Sequence, residues 1–210
     1  NTLCNKKDKS RRMRMIKYIV ICVLIGLSVM AWSEIPIKRG PGITADSGPE
    51  IQRILDEEEI SFDGNTFSPY KKITATVRVV EKNRYFFDGM SQFSPYDVLV
   101  SWGQVSDQKN LDYIRFNLKN RDFSYKKTRL PLSPDVINKH TELWHFVSST
   151  EEIENSIFKL REGHIITIEG FIVDVTTKEG LSWKSVSSPS IVTKSGNRHE
   201  IIWVTSLSKK

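Results

Sequence analysis

HIITIEGFIVDV, His164 to Val175, is the stretch on which the fold reading turns. Five Ile or Val side chains crowd it before Asp174, and β-branched residues are stiff at χ1 and pack best on a pleated surface, so it predicts a strand. Gly170 interrupts the run, where a bulge or bend is expected. KITATVRVV, Lys72 to Val80, repeats the signal, with Ile73, Ala75, Val77 and Val79 alternating onto one face.

Outward from these two, further segments take on form. Tyr85-Phe86-Phe87 is expected to continue or pair with the Lys72–Val80 strand. Ile114 to Leu118 alternates, Lys119-Asn120-Arg121-Asp122 makes a turn, and Phe123-Ser124-Tyr125 returns, predicting a hairpin. Ser182-Trp183-Lys184 begins a pairing strand after a Lys178-Glu179-Gly180 turn, and EIIWVT, Glu200 to Thr205, is the last.

Helices are fewer. Ser149 or Thr150 predicts a cap, with Glu152 in capping-box spacing and Ile153, Ile157 and Leu160 along one face, ending at Gly163. IQRILDEEEI, Ile51 to Ile60, predicts a short helix whose acidic run Asp56–Glu59 is solvated. Ser94 with Pro95 and Asp97 reads as a helix N-terminus. The sum is a mainly β (α+β) fold, a small partly open barrel or sandwich with one or two helices, preceded by an N-terminal hydrophobic helix. From Gly163 to Val204 the order of glycines and apolar strands resembles the bent first strands of an oligonucleotide- or oligosaccharide-binding barrel.

The charge of +6 is unevenly placed. Residues 1–17 carry seven Lys and Arg against Asp8 alone, so the rest of the chain is neutral. That basic flank precedes YIVICVLIGLSVMAW, Tyr18 to Trp32, and therefore reads as a topology signal. The segment suits a single-span anchor with Trp32 at the interface, or a signal cleaved after Ala31, since its length lies between the two classes. Either way the basic flank stays in the cytoplasm and the remainder is exported. Cys4 and Cys22 both precede the exported part, which excludes disulfides and thiol chemistry there. The organisation expected is 1–17 cytoplasmic flank, 18–32 anchor or signal, 33–50 a Pro- and Gly-rich linker, and 51–210 an exported globular domain.

SPYDVLVSWGQVSD, Ser94 to Asp107, resembles the S-P-x-D-L-A-L-G-W-G-x-M-S-D segment of a family of uncharacterised bacterial membrane-anchored proteins. HTELWHFVSS, with His145, is similar to that family's S-A-N-x-H segment, and WKSVSSPSIVTKSGNRHEIIWV to its W-x-S-S-L-T-R…C-E segment. In the latter Gly196 and Glu200 match, while His199 stands where the family has cysteine. With Gly40-Pro41-Gly42 and REGHIITIEGFIVDV the likeness covers most of residues 40–204. It implies topology and site residues and no reaction.

Chemistry is sparse. No P-loop, dinucleotide fingerprint, Gly-x-Ser-x-Gly elbow or His-Glu-x-x-His occurs. His145, His199 and Glu200 are the catalytic candidates, and the same three are the set from which a zinc site would be drawn, although no metal and no cofactor is expected. Packing competes with both roles for His145. Trp102, Arg121 and Tyr125 are the ligand-binding candidates. Trp102 reads as a stacking platform or as the plug of a barrel end. Arg121 and Tyr125 belong to a hairpin where basic and aromatic side chains interleave. A neutral domain makes nucleic acid a poor partner, and an envelope protein or anionic polymer a better one. The expectation is a membrane-anchored extracytoplasmic binding or assembly domain, with an envelope hydrolase using His145, or an accessory subunit of an envelope or secretion complex, as alternatives.

Overall fold

The computed structural model describes residues 13–26, 35–55, 58–127, 132–187 and 199–210. They divide into two units, Asn1–Ile35 and Pro36–Lys210. In the first, residues 13–26 form a helix, α1, whose side chains from Ile16 to Ile25 are exposed, including Ile19, Ile21 and Leu24. No helix of the described residues is long and apolar enough to cross a membrane. The rest of the expected anchor, residues 27–32, lies outside the described residues.

The second unit is mainly β. Its strands are β1 (Glu50–Arg53), β2 (Ile60–Phe62), β3 (Asn65–Arg84), β4 (Tyr96–Ser101), β5 (Ile114–Lys119), β6 (Asp122–Lys127), β7 (Thr141–Ser148), β8 (Ile165–Thr176), β9 (Ser182–Trp183) and β10 (His199–Lys209). Three short helices, α2 (Gln108–Leu111), α3 (Pro134–Lys139) and α4 (Glu151–Phe158), lie between them. Five strands close a ring, β3–β4–β7–β10–β8 and back to β3, antiparallel throughout except for β7 and β10.

β3 can close the ring because it has 20 residues and bends twice. Its register slips at Tyr70, between Pro69 and Lys71, and again at Val80. Pro69 lacks the N–H a regular ladder needs, which favours a bulge beside it. The first slip lies within its pairing to β8 and the second within its pairing to β4.

Inside the ring sit Ile73, Ala75, Val77 and Val79, the alternating face read from the sequence, with Val98, Trp144, Phe146, Ile166, Ile168 and Ile202. Trp102 and Ala45 join this core beyond the end of β4, and Ile157 and Leu160 join it from and just beyond α4. Thr150, the second of the two expected caps, caps α4, its hydroxyl accepting from Ile153 N, which leaves Glu152 one position short of the capping-box place read from Ser149. A second apolar cluster outside the ring gathers Phe67, Met90, Phe93, Val147, Val173 and Trp203.

Several local expectations change. Glu50–Arg53 is a strand on β3 rather than the start of a helix, and Ile60–Phe62 is another. Pairing with β3 outweighs the weak helical period of Ile51, Ile54 and Leu55. Of the acidic run, Asp56 and Glu57 lie outside the described residues. Ser94 and Pro95 lead into β4, not into a helix, and Asp97 is a strand residue. Tyr85 to Phe87 lie in the β3–β4 loop. At Gly170 the irregularity sits opposite, between Val204 and Ser206 of β10. A Cβ on Gly170 would lie 2.3 Å from Trp203 O, so the glycine admits the neighbouring backbone. The Gly163–Val204 stretch supplies the last ring strands, β8 and β10. The first bent strand of the ring is β3.

The segment from Pro36 to Gly48 is tied to the α4–β8 loop and the β4–β5 connection. Ile37 N donates to Glu162 O at 2.8 Å, Arg39 Nε to Gly163 O at 2.8 Å and Gly42 N to Asp107 Oδ1 at 2.9 Å. Thr44 and Ala45 N–H groups both donate to Ser106 Oγ, each at 3.1 Å. Gly48 packs so closely on Trp102 that a Cβ would meet the indole at 2.6 Å. This strap lies within the region the sequence assigns to a linker.

Candidate functional site

The β5–β6 hairpin lies across the outside of β4 and β7. Leu118 and Phe123 pack on Leu99 and Leu143, and Phe116 and Tyr125 complete that layer. Strand alternation explains the choice of residues: Val98, Val100, Trp144 and Phe146 point into the ring, so Asp97, Leu99, Leu143 and His145 point out.

The antiparallel register sets Asp97 opposite His145. His145 Nδ1 donates to Asp97 Oδ1 at 2.7 Å, and both residues are buried. Arg121 reaches the same oxygen from the hairpin turn, its Nη1 donating at 2.7 Å. The turn residues Asn120 and Arg121 have φ of 54° and 61°, the left-handed pair that a tight hairpin demands. Glycine is the usual residue at the second position, so an arginine there carries backbone strain.

Its contacts offset that strain. Arg121 Nε and Nη2 grip both oxygens of Asp88 at 2.8 and 2.7 Å, Nη1 also donates to Ser94 O at 2.8 Å, and the guanidinium lies 3.9 Å from the Tyr85 ring centre. Arg121 N donates to Tyr85 Oη. The Arg121 hydrogen bonds hold Asp88 below the usual carboxylate range. His199 lies beside this cluster, its ring 5.5 Å from that of His145. Burial, and then His145, lower its basicity. Asp97 Oδ2, Ser94 Oγ and His199 Nδ1 are buried without a hydrogen-bond partner.

Glu200 does not join them. It follows His199 on β10, so alternation turns it to the opposite face. There burial, and then Glu142, raise its pKa to about 7, while Ser187 N donates to it at 3.3 Å. Among the described residues no group of three or more His, Cys, Asp or Glu is arranged to hold a metal ion. An Asp–His pair is a general-base device, yet here the imidazole is 3% exposed and lies within strand pairings.

The ligand-binding candidates are equally engaged. Trp102 is buried in the ring core. Arg121 is committed to two carboxylates and a carbonyl. Tyr125 packs beneath the hairpin, its hydroxyl donating to Asn138 Oδ1 at 2.9 Å. The hairpin's aromatic rings thus face the ring strands, while Arg115, Lys119 and Lys126 are exposed.

The sequence reading passed over Asp88, Asp97 as a buried acid, Tyr85 and Glu142. The only local signal was Asp97 beside the apolar run Val98–Val100. No family model matches this chain, and no curated protein or solved structure matches it significantly.

Proposed function

We propose that this protein is a noncatalytic binding or assembly domain, anchored by its N-terminal apolar helix on the outer side of a bacterial cytoplasmic membrane. The observation that carries the noncatalytic reading is the sharing of one Asp97 oxygen between His145 and Arg121. That arrangement fastens the hairpin to β4 and β7 and keeps the His145 imidazole out of contact with solvent. The exposed apolar side chains of α1 support the anchor, because from Tyr18 onward the helix is apolar all round and such a helix is stable where lipid or protein covers it.

The ring order, with α4 between the third and fourth ring strands, resembles an oligonucleotide- or oligosaccharide-binding barrel, an analogy of fold alone. In such barrels the second and third strands commonly form the binding face. Here the hairpin covers β4 and β7, which hold those places. Recognition is then left to the rim at the β3–β4 loop, where Phe87 is fully exposed and Phe86 is 62% exposed. A pocket of about 530 Å³ opens there, lined by Phe62, Arg84, Phe86, Thr150, Glu151 and Glu154 among others. Aromatic faces with two acids, against the single Arg84 guanidinium that lies 4.7 Å over the Phe86 ring, suit an apolar, basic segment of an envelope protein better than an anionic polymer.

The test uses membranes carrying the full chain. Phe87→Ala is expected to abolish photo-crosslinks formed from position 92, in place of Gln92, to a neighbouring envelope protein. Protease, esterase and nuclease turnover is expected to be the same for the parent and His145→Gln. Turnover lost in His145→Gln would establish the hydrolase instead.

A further inference from the structure

The exposed phenylalanines among the described residues, Phe62, Phe86, Phe87 and Phe158, all stand around the rim at the β3–β4 loop. Phe62 and Phe86 line its pocket. The Phe87 ring centre lies 6.1 Å from that of Phe86, and the Arg84 guanidinium touches both Phe86 and Phe158, 4.7 and 5.8 Å from their ring centres. Exposed rings gain free energy by folding onto neighbouring apolar surface, so a pair held out in solvent needs a backbone that keeps it there.

The group that holds Phe86 and Phe87 belongs to another element. Tyr85 and Asp88 flank the pair, and Arg121 of the hairpin turn grips both. Its guanidinium lies 3.9 Å from the Tyr85 ring centre, its backbone N donates to Tyr85 Oη at 3.2 Å, and Nε and Nη2 donate to the two Asp88 oxygens at 2.8 and 2.7 Å. The loop's own hydrogen bonds lie elsewhere. Tyr85 N donates to Pro95 O at 2.9 Å, while Ser91, Phe93 and Ser94 N–H groups close the far half onto Asp88 and Met90. Met90 and Phe93 anchor that half in the second apolar cluster. Phe86 and Phe87 make no backbone hydrogen bond to another described residue, so their course depends on the two gripped neighbours.

The strained turn has the same explanation. Arg121 has a φ of 61°, which a glycine would adopt without cost, but a glycine would reach neither Tyr85 nor Asp88. The side chain has two separable arms: Asp97 has no solvent exposure and pins the hairpin to the ring, whereas the Asp88 side chain is 34% exposed and belongs to the loop. We infer that Arg121 is a positioning residue for the rim, preorganising Phe86 and Phe87 for the apolar, basic segment of an envelope protein that docks there. The β5–β6 hairpin is then part of the recognition machinery as well as a cover for β4 and β7. Holding the rings out beforehand removes the ordering cost from the binding step. The inference rests on the reading of the rim as the recognition site.

The experiment compares Asp88→Asn, which weakens the loop arm, with Asp97→Asn, which weakens the buried pin, in membranes carrying the full chain with the photo-crosslinker in place of Gln92. Asp88→Asn is expected to lower the crosslink yield about tenfold, because both rings must then be ordered on binding. It is also expected to speed chymotrypsin cleavage after Phe86 or Phe87 about tenfold, a local readout that needs no partner. Asp97→Asn is expected to lower the urea midpoint more than Asp88→Asn does, yet to keep the crosslink yield within about twofold of the parent. Crosslinks that fall in step with the urea midpoint across the two variants would overturn the proposal and leave Arg121 a purely structural residue. Cleavage unchanged in Asp88→Asn would overturn it as well. A parent chain that gives no crosslink, with cleavage still faster in Asp88→Asn, would sink the docking of an envelope protein at the rim and support the grip of Arg121 on the loop.

Discussion

Arg121 donates to Asp97 at 2.7 Å across 24 positions of sequence, from a left-handed turn residue to a strand residue with no solvent exposure. The pair joins the hairpin to the ring, and its removal leaves a buried carboxylate with only His145 as partner.

Arg121→Met is therefore expected to destabilise the fold by about 3 to 5 kcal/mol, the usual loss when one member of a buried pair is deleted. Urea unfolding followed by tryptophan emission measures it. Asp97→Asn in the same chain is expected to recover part of the loss, because the uncompensated charge goes with it. Strictly additive losses would show that the two side chains are not coupled.

Gly163 has a φ of +86°, and a Cβ there would lie 2.1 Å from Ile37 O. Gly163→Ala is expected to release the strap and to cost about 2 kcal/mol, from left-handed strain and the displaced carbonyl. Trypsin should then cut after Lys38 or Arg39 faster than in the parent. An unchanged cleavage rate would mean that the strap is held elsewhere.

Glu200 gives a pH signature. In the fold it keeps its proton to about pH 7, whereas the unfolded side chain loses it near 4.5. The folded chain binds more protons in that window, so stability falls as pH rises from about 4.5 to 7, by at most about 3 kcal/mol. Glu200→Gln is expected to remove this fall and to leave the protein more stable at pH 8. A parallel pH profile for the two proteins would show that Glu200 ionises normally.

His164 acts in the opposite direction. Burial, then Lys209, Arg161 and Arg39, lower its pKa from 6.5 to about 4, and its Nδ1 accepts from Arg161 N at 2.9 Å. The unfolded chain binds the extra proton, so stability falls as pH drops from about 6.5 to 4. His164→Asn should flatten that limb while the Glu200 limb persists. Melting temperatures of the two variants between pH 4 and 8 are expected to slope in opposite senses, and slopes of one sign would refute the assignment.

Much of the local structure was legible. β-Branched runs with period two marked β3 and β8, the Thr150 cap marked α4, and the Lys119–Asp122 turn marked the hairpin. Helical spacing misled at Ile51–Ile60, where three apolar positions are too few to outweigh an available strand edge. The site was harder to see. His145 and His199 were singled out and do lie together, but Asp97, which bonds His145, and the Arg121–Asp88 pair beside it come from other elements. Nothing local to Asp97 distinguishes a buried acid from a solvated one.

The sequence by itself determined which segments are extended, where the apolar helix and its basic flank lie, and which face of each long strand is apolar. These follow from side-chain shape and periodicity within a few residues. Only the tertiary structure decided that β3 would close the ring on β8, that the hairpin would cover β4 and β7, and that Pro36–Gly48 would lie as a strap. Those are pairings between distant backbones, and any apolar face accepts several covers. The cover chosen is the one that brings Arg121 onto Asp97 and Gly163 under Ile37.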